Sequence, residues 1–113
     1  MATEEVAAII NALSNVKHKC MISLIYAAGL CRSELLNLKI SEIDGKRMQI
    51  LIKKAKGGKD RIVPLSNTIL QLLRKYYIAF APKVYLFEGL NGKQYNERSL
   101  ALVLKKGYEL AGI

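Results

Sequence analysis

Apolar positions along this chain recur at two different periods, and the switch between them divides it into parts. Val6, Ile9, Ile10 and Leu13 fall at i, i+3, i+4 and i+7, one face of a helix. Thr3 stands as its N-cap, with Glu4 and Glu5 in the first turn where the helix dipole favours carboxylates. The pattern ends near Ser14–Asn15, and a second helix is expected from Val16 to Ala28, almost wholly apolar after Lys19, with Gly29 breaking it. A third, short helix covers Arg32 to Leu38, with Leu35, Leu36 and Leu38 facing inward. The period then falls to two. Met48, Ile50 and Ile52 alternate with Gln49, Leu51 and Lys53, as in a strand buried on one side. Asp44–Gly45 is a hairpin signal between strands predicted over Ile40–Ile43 and Lys46–Lys53. A glycine-bearing loop, Ala55 to Lys59, returns the chain into Arg61–Leu65, a third strand.

Helical spacing resumes after Ser66, an N-cap for Ile69, Leu70, Leu72, Leu73 and Tyr76. Pro82 follows, then a short apolar run, Val84–Phe87, and an Asn91–Gly92 turn. Asn96 or Ser99 caps a last helix through Leu100, Val103, Leu104 and Tyr108, closed by Gly112. Three helices, a three-stranded antiparallel meander and two further helices make a single α+β domain over residues 1–113.

Composition narrows the function. A chain of 113 residues that is 51% hydrophobic buries a core and is not disordered. Its net charge of +9 points to a polyanionic partner, nucleic acid before a membrane surface. Cys20, Cys31 and the single His18 have no metal-ligand or redox spacing, so no metal is expected and the thiols are expected to be free. The longest apolar run, Cys20–Leu30, is half of the roughly 20 residues that a bilayer requires. With no signal peptide at the start, a cytoplasmic location is expected.

Lys46, Arg47, Lys53, Lys54, Lys56, Lys59 and Arg61 gather on the sheet, opposed by Asp60. Cations on a hairpin suit a phosphate backbone, where they give salt-dependent affinity without sequence information. The alternative is a lysine-rich edge that keeps strands of separate molecules apart.

Two stretches, YAAGLCRSELLNLKISEID and KGGKDRIVPLS, resemble the catalytic domain of tyrosine recombinases, the phage-integrase and Xer class. Members read ATGLR-x-SELL-x-L-x-x-x-DID and then GKG-x-K-x-R-x-VPL. The resemblance implies double-stranded DNA as partner, and strand cleavage and rejoining through a 3′-phosphotyrosine with no cofactor. It implies a prokaryotic, nucleoid-associated protein. Lys56 matches the family lysine that donates a proton to the leaving 5′-oxygen, and Glu34 matches an acid that supports the site. An ordinary surface carboxylate is the other reading of Glu34.

The chain departs from the family where the chemistry needs charge. The first catalytic arginine, directly after Gly-Leu, is here Cys31. A short, mostly neutral thiol cannot form the guanidinium fork on a phosphate. Arg32 is the alternative carrier of that charge, but neighbours on a helix point about 100° apart. Cys31 as a nucleophile has no accompanying His or second acid. The sequence stops at Ile113, ahead of the family's His-x-x-Arg motif and tyrosine. None of Tyr26, Tyr76, Tyr77, Tyr85, Tyr95 and Tyr108 has the nucleophile's context, and the amino-terminal DNA-clamping domain is not represented. This chain alone is therefore expected not to cleave DNA. Apolar side chains, such as some of Leu100, Val103 and Leu104, are expected to be exposed and to favour a homodimer or contact with other recombinase subunits. A non-catalytic DNA-binding module and a piece that docks on an intact recombinase are the other functional readings.

Overall fold

The computed structural model describes residues 3–53 and 58–112. Five α-helices and three strands follow in the order α1 (Thr3–Ala12), α2 (Val16–Ile22), α3 (Arg32–Asn37), β1 (Ile43–Asp44), β2 (Gln49–Ile52), β3 (Arg61–Pro64), α4 (Asn67–Phe80) and α5 (Glu97–Ala111). The strands form one antiparallel meander, β1-β2-β3, in which Ile50 faces Ile43 and Val63, and Ile52 faces Arg61. Ile50, Ile52 and Val63 point into the core, as the two-residue period requires. Ile9, Met21, Ile22, Leu24, Leu35, Tyr76 and Phe87 belong to the same buried core. Among the described residues no helix is long and apolar enough to cross a membrane.

Local chemistry explains most boundaries. Asn15 starts α2, its side chain accepting the N–H groups of Lys17 and His18 at 2.8 and 3.3 Å. Ser66 caps α4 through the Ile69 N–H, and Asn96, rather than Ser99, caps α5. Thr3 is the first residue of α1 itself, not the cap before it.

The predicted second helix runs on to Ala27, but through a wide π turn over Ser23–Ala27. The Ala28 N–H reaches back five residues to the Ser23 carbonyl, at 3.1 Å. That extra residue turns Tyr26 toward α5, where its hydroxyl is hydrogen-bonded to that of Tyr108 and the two rings meet edge-on. Gly29 then reverses the chain at φ +80°, a conformation that a side chain would strain.

The first hairpin differs from expectation. Ile40–Glu42 is a 3₁₀ turn, not strand, and β1 is only two residues long. Residues 45–48 form a four-residue turn, with Asp44 Oδ1 accepting the N–H groups of Lys46 and Arg47 at 3.1 and 3.0 Å. The aspartate makes its bonds within the turn, so Lys46 and Arg47 belong to the turn and not to a strand.

Leu100, Val103 and Leu104 are buried, correcting the expectation that they would be exposed. They form the face of α5 that lies on α1. Leu102 and Leu110, at intervening positions, take the exposed face instead, at 62% and 53% accessibility.

Gly107 sets how closely α5 approaches. A Cβ there would lie 2.8 Å from Ile9 Cγ2 and 2.9 Å from Ile22 Cδ1. Helix propensity alone favours Gly107→Ala by about 1 kcal/mol. Overpacking against the stiff β-branch of Ile9 costs about 1–3 kcal/mol. The variant is expected to melt several degrees below the parent, and a higher melting temperature by calorimetry would show that α1 yields.

Candidate nucleic-acid interface

The short helix α3 begins where the chain leaves the Gly29 turn. Cys31 is its N-cap in extended conformation, φ −80° and ψ 166°, with an exposed thiol 3.3 Å from Ser33 Oγ. The Cys31 N–H donates to Glu34 Oε1 at 2.9 Å, which fixes the carboxylate against the start of its own helix. Two further donors reach the same group from β3. Arg61 Nη2 lies 2.7 Å from Oε1 and Arg61 Nε lies 3.2 Å from Oε2, a forked ion pair. Arg61 Nη2 also reaches the Gly29 carbonyl at 3.4 Å.

Glu34 keeps only 7% of its side chain accessible, against 42% for Arg61. The hydrogen bonds from Arg61 are the largest cause, and the Cys31 N–H a further one, of a carboxyl pKa pushed down to about 2. Glu34 in turn raises the pKa of Arg61. Glu34 is thus a linker between helix and sheet rather than a free surface acid. Arg61, a candidate for DNA contact, has most of its fork committed to that carboxylate.

The other candidates divide between two ends of the sheet. Lys53 and Lys59 are exposed at the end where β2 leaves and β3 enters, beside Arg61. Lys46 and Arg47 lie in the β1–β2 turn, beyond the far end of β2, which spans roughly 10 Å at about 3.4 Å per residue. Arg47 faces Asp44 at 3.9 Å, and Arg74 of α4 comes close to Gly45. Lys54 and Lys56 fall outside the described residues. Arg32 is exposed at the first position of α3 and does not line the cleft into which Cys31 opens.

That cleft, of about 800 Å³, lies between α3 and the end of β2 and is bordered by Cys31, Glu34, Asn37, Lys39, Lys53 and Tyr85. Lys39 and Tyr85 carry no sequence signal for this role. They meet because the apolar run Val84–Phe87 docks beside residues 38–40, through Ile40 N–H to the Val84 carbonyl and Leu86 N–H to the Leu38 carbonyl. Asn37 is held there by hydrogen bonds with the Ser33 carbonyl and the Gln94 side chain. Among the described residues no three His, Cys, Asp or Glu side chains converge as a metal would require.

The lowered carboxyl pKa makes a sign-specific prediction. Glu34 contributes stability above pH 4.5, the ordinary glutamate value, and loses it as the pH falls toward about 2. Thermal melts between pH 5 and 2.5 should show this loss, and Glu34→Gln should reduce it. At pH 7 the same substitution should cost about 1–2 kcal/mol, the low side of the range for bonds to charged groups because Arg61 is half in water. Parallel pH profiles of the two chains would mean that the pair does not stabilise the fold.

Comparison with known proteins places this geometry. Residues 1–113 match the phage integrase family along their whole length. A tyrosine recombinase of Thermosipho africanus is 36% identical over 117 residues, covering 100% of this chain and 41% of the relative. The crystal structure of XerA recombinase superposes with a TM-score of 0.87 at 25% identity, over 100% of this chain and 42% of that one. The structure of XerH recombinase bound to palindromic difH substrate matches with a TM-score of 0.82 at 23% identity, over 99% and 35%, and shares the fold. The chain thus spans about two-fifths of the length of these proteins. It belongs to the phage integrase family, the tyrosine recombinases.

Proposed function

We propose that this chain is the DNA-contacting first part of a recombinase catalytic domain, and that the protein it represents in full cuts and rejoins DNA strands through a 3′-phosphotyrosine. The Glu34–Arg61 pair carries this reading. It holds the start of α3 against β3, so that position 31, Lys53 and Lys59 sit at one end of the sheet. Cations gathered at one edge, on a chain of net charge +9, suit a phosphate backbone. The relatives' names and the XerH complex with its difH substrate support duplex DNA as the partner. Lys56 is the proposed proton donor and Glu34 the residue that positions the arginine slot. Such a protein works on the nucleoid in the prokaryotic cytoplasm, beside further recombinase subunits.

Cys31 favours a second reading for this chain, binding without cleavage. The thiol leaves the phosphate clamp incomplete, and Arg32 lies outside the cleft that Cys31 borders. Loss of an arginine that stabilises phosphoryl transfer costs on the order of 10³-fold in rate.

Fluorescence anisotropy with duplex DNA across a salt series tests the surface. Each phosphate contact contributes about 0.9 to the slope of log K against log salt. Lys53→Ala with Lys59→Ala should flatten that slope by up to two contacts, and Lys46→Ala with Arg47→Ala should change it less. Cys31→Arg should steepen it by about one contact, with Cys31→Ser as the neutral control. No measurable binding at low salt would rule out this surface as a DNA site.

A further inference from the structure

We propose that the cleft between α3 and β2 receives one unstacked base of a DNA strand, with Tyr85 as its stacking platform and Lys39 and Lys53 on the neighbouring phosphates. This rests on the reading of the chain as a DNA-binding recombinase domain and adds to it a preference for strands that carry an unpaired nucleotide.

The cleft has two kinds of lining, and a phosphate site alone uses only one of them. Leu38 and Ile52 give it an apolar floor, each buried to within 3%. Tyr85 is half-buried beside them. Its backbone is fixed by the bridge to Lys39 and by the flanking bonds to residues 38 and 40, and Leu86 and Phe87 anchor the segment in the core. The backbone that presents the ring is therefore fixed before any ligand arrives, which reduces the ordering cost of binding.

Charge in the cleft is uneven. Of its two carboxylates Glu34 is paired with Arg61, while Glu42 accepts the Lys39 N–H at 2.7 Å, a neutral donor that offsets no charge, so the two lysines face one unpaired carboxylate. Among the described residues neither Lys39 nor Lys53 is in an ion pair. Lys39 Nζ lies 6.0 Å from the Tyr85 ring centroid, the outer limit of a cation–π contact, and its exposed side chain can turn outward. Two available ammonium groups about an aromatic ring and an apolar floor match the chemistry of single-strand sites, where bases stack and phosphates pair.

Within a duplex each base face is covered by its neighbours, so Tyr85 can meet only a base that has left the stack. The volume, about 800 Å³, lies in the range of roughly 300–1,000 Å³ typical of sites for molecules of nucleotide size. A fully paired duplex does not fit into such a recess.

The test compares the affinity of the full chain for a duplex bearing one unpaired nucleotide with that for the same duplex fully paired. The chain is expected to prefer the bulged duplex. Tyr85→Leu should reduce that preference on the order of tenfold, the scale of one lost base–aromatic stack, and Tyr85→Phe should retain it. Melting curves of both variants establish that they fold. A second readout needs no substitution: 2-aminopurine at the unpaired position should change emission on binding, and at a paired position it should not. Paired and bulged duplexes bound equally, or a preference untouched in folded Tyr85→Leu, would overturn the cleft proposal and leave the DNA reading standing. Failure to bind either duplex would remove both.

Discussion

A carboxylate with almost no access to water accepts three N–H donors at the junction of α3 and β3, and the candidate interface is organised around it. One donor, the Cys31 N–H, comes from its own helix, and the other two are the Nε and Nη2 of Arg61. Charge-assisted bonds of this forked kind fix direction as well as distance. A helix of six residues has little stability of its own and takes its position from what it is tied to. Here it is tied to a strand. Position 31, the lysine-bearing end of the sheet and the floor of the cleft therefore share one frame.

The same pair limits what Arg61 can do. A guanidinium that serves a buried carboxylate through two nitrogens has little charge left to offer a phosphate, and the two groups together are neutral. Among the described residues Lys53 and Lys59, at the same end of the sheet, are in no ion pair. Position 31 holds a thiol and not a guanidinium, so this end of the sheet offers flexible ammonium groups rather than a rigid fork. That arrangement favours salt-sensitive binding over the fixed grip that phosphoryl transfer requires.

Packing among α1, α2 and α5 follows a different rule, closeness rather than charge. Gly107 lets α5 approach α1 and α2 to within side-chain contact of Ile9 and Ile22. The π turn over Ser23–Ala27 brings Tyr26 to Tyr108 on that helix. The π turn leads directly into Gly29, whose carbonyl accepts from Arg61. The π turn thus connects the helical layer to the interface through one short stretch of backbone.

Much of this was legible in the residues. Periods of 3.6 and 2, the Ser66 and Asn96 caps and the Gly29 and Gly112 breaks are local signals, and local physics honours them. The strand alternation placed Ile50 and Ile52 inside, and the two family-like stretches drew attention to position 31 and Glu34, which border the cleft. What depended on distant parts of the chain was not legible. Asp44–Gly45 resembles a two-residue turn, but the register of Asp44 with Gln49 leaves four residues to be turned. Helical spacing put Leu104 with Leu100 and Val103 and left out Leu102, but that this stripe is covered follows only from the seat of α5 on its neighbours. The bond between Glu34 and Arg61 spans 27 positions, and the cleft unites residues 31 and 85. By itself the sequence determined the elements, their order and the charge they carry, because propensity, capping and periodicity act over a few neighbours. Only the tertiary structure decided which cations remain available and which acid is spent, because ion pairs and clefts form between groups that folding brings together.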